Sequence, residues 1–158
     1  MPSLCCRAGR ILLGCAGIEA LMVPMPRIAL SLVLLALVAA VVGSLVGGAA
    51  WLEVPTPGLP ALPVGNAATW AAMIAVATLV RLWAPAGPWV LRANVLLGLA
   101  LAWLPLSRLL AGNWANNFAG GPAWATWRAY TAGLGLALVG GLLAVLVMRI
   151  TRQDMKPR

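Results

Sequence analysis

Residues Ile28 to Leu52, IALSLVLLALVAAVVGSLVGGAAWL, run for twenty-five positions without a charge. At about 1.5 Å of rise per residue, a helix of that length crosses a bilayer core of about 30 Å with some tilt. In water it would expose apolar surface on every side, and a chain of 158 residues holds little else to cover it. The stretch therefore predicts a membrane span. The remainder reads as three further spans folded back against it.

Composition agrees. The chain is 63% hydrophobic and 9% charged, with a mean hydropathy of +0.97, whereas a soluble domain carries about 25% charged residues. The expected fold class is an all-α integral membrane protein: four transmembrane helices in a compact up-down bundle, with no soluble domain. Eleven Lys and Arg face three acids, Glu19, Glu53 and Asp154. The cations sit between or beyond the apolar runs, where they act as topology signals and anionic-lipid contacts. No basic stripe or recognition module accompanies them, so nucleic acid is not an expected partner.

The sequence contains no histidine, which removes His-ligated metals, bis-His haem and His-based acid–base chemistry. Cys5, Cys6 and Cys15 precede the first span and are odd in number, a poor disulfide framework and a poor metal site. No cofactor is expected.

Residues 1–26 read as an N-terminal extension, with Met25-Pro26-Arg27 resembling a native start. The transmembrane domain covers 27–150, with helices near 27–51, 67–83, 88–110 and 122–149, and 151–158 form a basic cytoplasmic tail. Between the first two helices, EVPTPGLPALPVGN (53–66) holds four prolines and predicts a stiff extended connector, since each proline fixes φ and removes a donor. Asn66 is a fitting N-cap for helix two. The run Ala84-Pro85-Ala86-Gly87-Pro88 predicts a tight turn with Pro88 opening helix three. Pro105 predicts a kink near that helix's far end. The run AGNWANNFAGG (111–121) is a polar, glycine-rich loop, and Pro122 can open helix four.

With four spans, both termini share a side. Arg7, Arg10, Arg27, Arg81, Arg92, Arg149, Arg152, Lys156 and Arg158 fall there, against Arg108 and Arg128 on the other. This bias predicts cytoplasmic termini; the expected location is a bacterial inner membrane. The tryptophans fall near both boundaries, as an aromatic belt does.

Candidate functional residues are sparse. No carboxylate lies inside any span, so a proton relay or cation-coupling site has no carrier. Asn94 is the best intramembrane polar residue, read here as a packing bond. Arg81, Arg92, Arg149 and Arg152 are candidates for lipid headgroups. Glu53, with Arg108 or Arg128, could form an ion pair on the outer face, worth about 0–1 kcal/mol. Small residues recur at spacing four: Ala36, Ala40, Ser44 and Gly48, beside Gly43 and Gly47; Ala67, Ala71 and Ala75; Asn94, Gly98 and Ala102; and Ala129, Gly133, Ala137 and Gly141. Such stripes let helix backbones approach closely, and the doubled stripe makes helix one the expected main packing element.

Two function classes follow. One is a structural or accessory subunit packed against a larger membrane assembly, with a membrane-protein partner or a second copy beside membrane lipid. The other is a small transport or lipid-handling component, its path lined by Asn94 and the inner arginines. An enzyme is not expected, because no nucleophile–base pair can be assembled from one tyrosine and no histidine.

Overall fold

The computed structural model describes residues 24–118 and 120–154, with side chains from 26 to 118 and from 120 to 151. The N-terminal extension up to residue 23, its cysteines included, and the last four residues of the tail lie outside them. Among the described residues four long helices follow one another: α1 (Pro24–Val46), α2 (Val64–Trp83), α3 (Pro88–Ala111) and α4 (Gly121–Asp154). All four are long and apolar enough to cross a membrane. The all-α, up-down fold class is thus the one expected from the sequence.

The chain divides inside α1 into two compact units, Met1–Val33 and Leu34–Arg158. In the first, Ser31 Oγ donates to the Arg27 carbonyl at 2.7 Å, the usual outlet for a serine hydroxyl within an apolar helix.

Helix α1 stops at Val46, five residues short of the expected Trp51. Hydrophobicity continues past that point, but backbone conformation does not. Gly48 takes a left-handed φ of +61°. The Ala49 N–H donates to the Ser44 carbonyl at 3.0 Å, and the Gly48 N–H to that of Leu45 at 3.4 Å. These two bonds are a Schellman ending, which meets the last carbonyls and turns the chain out of the helix. A short 3-10 turn, Ala50–Glu53, follows.

The proline-rich connector is more ordered than an extended strap. Strands β1 (Pro55–Thr56) and β2 (Leu59–Pro63) pair antiparallel, and Pro57-Gly58 makes the bend, Gly58 at φ +80°. Prolines are tolerated here because each strand of a two-stranded ribbon has an unpaired edge. The hairpin delivers Leu62 into the helical core, where it is 4% exposed. Helix α2 then begins at Val64, not Ala67, with Pro63 rather than Asn66 as its N-cap. Asn66 is freed to bond the 112–120 loop instead.

Helix α2 is the centre of this unit. It packs on α3, α4, the hairpin and the 3-10 turn, and buries Ala72, Ala75, Ala77, Leu79 and Val80. It is also the least apolar of the four by mean hydropathy. The two facts share a cause: alanines let neighbouring backbones close in, and a weakly apolar helix loses least by facing protein instead of lipid. The expectation that α1 is the main packing element is corrected accordingly. Within this unit α1 buries Val41 and leaves Ala36, Ala40, Gly43 and Gly47 exposed.

Two clusters form the core. Toward the hairpin, Leu62, Ala77, Ala100, Trp103, Leu104, Leu134 and Leu138 pack together. Toward the 84–87 turn, Val80, Ala93 and Val145 do so. At that turn Gly87 has φ +88° and Pro88 opens α3, as the sequence predicts. Helix α3 ends at Gly112, whose left-handed φ of +70° and N–H bond to the Arg108 carbonyl at 2.8 Å close it. Helix α4, at 34 residues, is about 50 Å long and must project beyond a core of about 30 Å.

Candidate functional site

The polar chemistry inside the bundle is built from tryptophans and backbone. Pro105 has no N–H, so the Leu101 carbonyl one turn earlier loses its helical donor. Trp70 on α2 replaces it: its indole Nε1 donates to the carbonyls of Ala100 at 3.0 Å and Leu101 at 3.2 Å. A proline is admissible in a span when a neighbouring helix satisfies the freed group, and here one does.

Two further indoles close the α3–α4 contact. Trp103 Nε1 donates to Thr131 Oγ1 at 3.0 Å. Trp127 Nε1 donates to Ser107 Oγ at 2.9 Å, and that hydroxyl donates onward to the Trp103 carbonyl at 2.7 Å. Ser107 is 0% exposed, so this relay is dry. Tyr130 OH donates to the Leu99 carbonyl at 2.6 Å. The chain's one tyrosine thus has a structural hydrogen-bond acceptor. The sequence predicts Trp70 and Trp127 at the outer boundary and Trp103 slightly deeper; Ser107, Thr131 and Pro105 inside apolar runs are the available signal that the indole N–H groups turn inward.

At the hairpin end, Phe118, Trp124 and Trp127 gather, with the two indoles stacked at 5.1 Å. Asn66 Nδ2 donates to the Trp114 carbonyl at 2.9 Å and ties α2 to the 112–120 loop. Within that loop Asn113 is a staple rather than filler: its Nδ2 reaches the carbonyls of Ala111 and Asn117, and its Oδ1 accepts from the Asn117 N–H. Asn116 holds φ +55°, and its buried amide has no hydrogen-bond partner among the described residues.

The expected ion pair is absent among the described residues, and Glu53 joins neither base. Arg108 lies over Trp114, 4.3 Å from the ring centroid, and Arg128 over Trp124 at 5.5 Å. An aromatic face attracts a guanidinium without desolvating a second charge, which a carboxylate partner would require.

At the opposite end, Arg81 Nε donates to Asn94 Oδ1 at 2.8 Å, joining α2 to α3. The sequence points to both residues, for different roles. Arg92 lies over Trp89 at 4.9 Å and Arg149 over Trp83 at 5.2 Å. Arg152 lies in the last turns of α4.

The small-residue stripes divide. Gly141 faces the core: a Cβ there would meet Leu96 Cδ1 at 3.2 Å and Val80 Cγ1 at 3.5 Å. Ala75 is buried on α2. By contrast, Asn94 and Gly98 on α3, and Ala129, Gly133 and Ala137 on α4, are exposed. The core line of α3 runs instead through Ala93, Ala100, Trp103, Leu104 and Ser107. On α1 a Cβ at Gly43 would meet nothing within 4 Å, whereas one at Gly47 would meet the Gly43 carbonyl oxygen at 3.1 Å. Gly48 serves the helix ending, and Ser44 is half-buried.

No group of three or more His, Cys, Asp or Glu that could hold a metal occurs among the described residues. Four membrane-length apolar helices, with backbone groups freed by proline met from the neighbouring helix, define a small polytopic integral membrane protein. Comparison with protein-family models, with curated proteins and with solved structures finds no match.

Proposed function

We propose that the chain is a structural or accessory subunit that packs against a larger membrane assembly, and is not itself an enzyme. The observation that carries this reading is the outward placement of small-residue faces. Helices α2, α3 and α4 pack on one another with a filled core, while Ala36, Ala40 and Gly43 on α1 and Ala129, Gly133 and Ala137 on α4 stay exposed. In lipid, helix association relies on close backbone approach across such faces. A transport path gains no support from Asn94, which accepts a bond from Arg81.

Gentle extraction of the tagged full chain in mild detergent should recover a stable heteromeric complex. Gly43→Ile should lose the partner while shifting stability by no more than about 0.5 kcal/mol, as surface substitutions do. A monodisperse single chain under the same extraction contradicts the proposal, and a complex of identical copies would replace it with self-association.

For orientation, we propose that both termini are cytoplasmic, on the cation distribution alone. Reporter fusions after Arg158 and within residues 55–65 should give opposite signals. A C-terminal fusion reporting the outer side would overturn this.

A further inference from the structure

The 84–87 turn end carries three arginines from three helices: Arg81 of α2, Arg92 of α3 and Arg149 of α4. One packed layer fixes their level. Val80, Ala93 and Val145 form a single buried cluster; Arg81 and Arg92 are the chain neighbours of the first two, and Arg149 follows Val145 by about one helical turn.

Each guanidinium rests on an uncharged group. Arg81 Nε is held by Asn94 Oδ1 at 2.8 Å, Arg92 by the Trp89 ring at 4.9 Å and Arg149 by the Trp83 ring at 5.2 Å. These contacts order the side chains and leave their charge intact. The one carboxylate with a described side chain, Glu53, follows α1 beside the hairpin, at the other end of α2. The bond to Asn94 engages only Nε of Arg81 and leaves its terminal N–H fork, whose spacing matches two phosphate oxygens. Asn94 is exposed six residues into α3, a costly position for an amide in lipid unless it has polar company. Its own NH₂ adds a donor beside the fork.

We propose that this triad is a binding site for an anionic phospholipid, with Asn94 as the positioning residue for Arg81. The headgroup phosphate takes the Arg81 fork, and Arg92 and Arg149 share the net negative charge. A zwitterionic headgroup brings an ammonium that three cations repel. Inorganic phosphate lacks the acyl chains that lie along the apolar helix faces.

The test uses the full chain in neutral detergent, titrated with phosphatidylglycerol, with phosphatidylcholine, or with inorganic phosphate. Lipid retention is read by native mass spectrometry. Phosphatidylglycerol should be retained in preference to phosphatidylcholine. Arg81→Gln, Arg92→Gln and Arg149→Gln should each weaken its binding by about fivefold, the value of one arginine near an anionic surface. Arg92 is exposed, so its variant keeps the test open if Arg81→Gln does not fold. Asn94→Leu should lower the preference for the anionic lipid itself, which a mere packing role would leave unchanged. Arg108→Gln, at the other end of α3, should have no effect. Equal retention of the two lipids, competition by inorganic phosphate at equal concentration, or an Arg108→Gln loss as large as that of Arg92→Gln would each overturn the proposal.

Discussion

Trp70→Phe is expected to destabilise the protein by about 1–2 kcal/mol in detergent, and most of that loss should vanish when Pro105 is replaced by alanine. Phenylalanine keeps an aromatic ring between α2 and α3 but removes the indole N–H. The Leu101 carbonyl, which Pro105 leaves without a helical donor, then loses its donor at 3.2 Å, and Ala100 its bond at 3.0 Å. A bilayer core holds no water to take over. In the Pro105→Ala background the residue 105 N–H can bond Leu101 itself, so the indole becomes dispensable. The four melting curves of this double-mutant cycle should show coupling of about 1 kcal/mol. Additive effects would mean that the indole is there for its area, not its hydrogen bond.

Gly141→Ile is expected to cost about 1–3 kcal/mol or more, the range for forcing carbon into a packed core. A Cβ alone at this position sits 3.2 Å from Leu96 Cδ1 and 3.5–3.6 Å from the Val80 methyls. The end of the Leu96 side chain can yield to alanine, so Gly141→Ala should be mild. The branched carbons of isoleucine have nowhere to go without moving α4 off α2 and α3. Gly140→Ile is the control, because its Cβ would meet nothing within 4 Å. Melting temperatures of the three variants decide the matter: if the two isoleucines behave alike, Gly141 is not a contact point.

These two sites show what the sequence makes legible and what it hides. Span existence and order could be read from the long apolar runs and the Pro- and Gly-rich breaks between them, and Pro88 and Gly112 mark the bounds of α3 by backbone chemistry. The end of α1 was overrun because its apolar run continues through Trp51; the left-handed Gly48 stops it. The connector's prolines predict an extended strap, and Pro57-Gly58 is the turn signal that makes a ribbon of two edges possible. Spacing-four stripes reveal that a helix can be approached closely, but not from which side. One residue is a rotation of about 100°, and it separates exposed Asn94 from buried Ala93 on α3. Which side faces protein depends on long-range pairing. The Trp70–Leu101 and Arg81–Asn94 bonds span 31 and 13 residues, and no local pattern encodes such partners.

The central claim, that the open small-residue face of α1 meets another protein, is tested most directly by site-specific photo-crosslinking in intact membranes. A photoreactive residue at Ala40, on the stripe with Ala36 and Gly43, should yield one discrete protein adduct of higher mass. The same probe at Val42, 49% exposed but off the stripe, should label lipid alone. Lipid labelling from both positions, or an adduct from Val42 as strong as that from Ala40, would contradict the account.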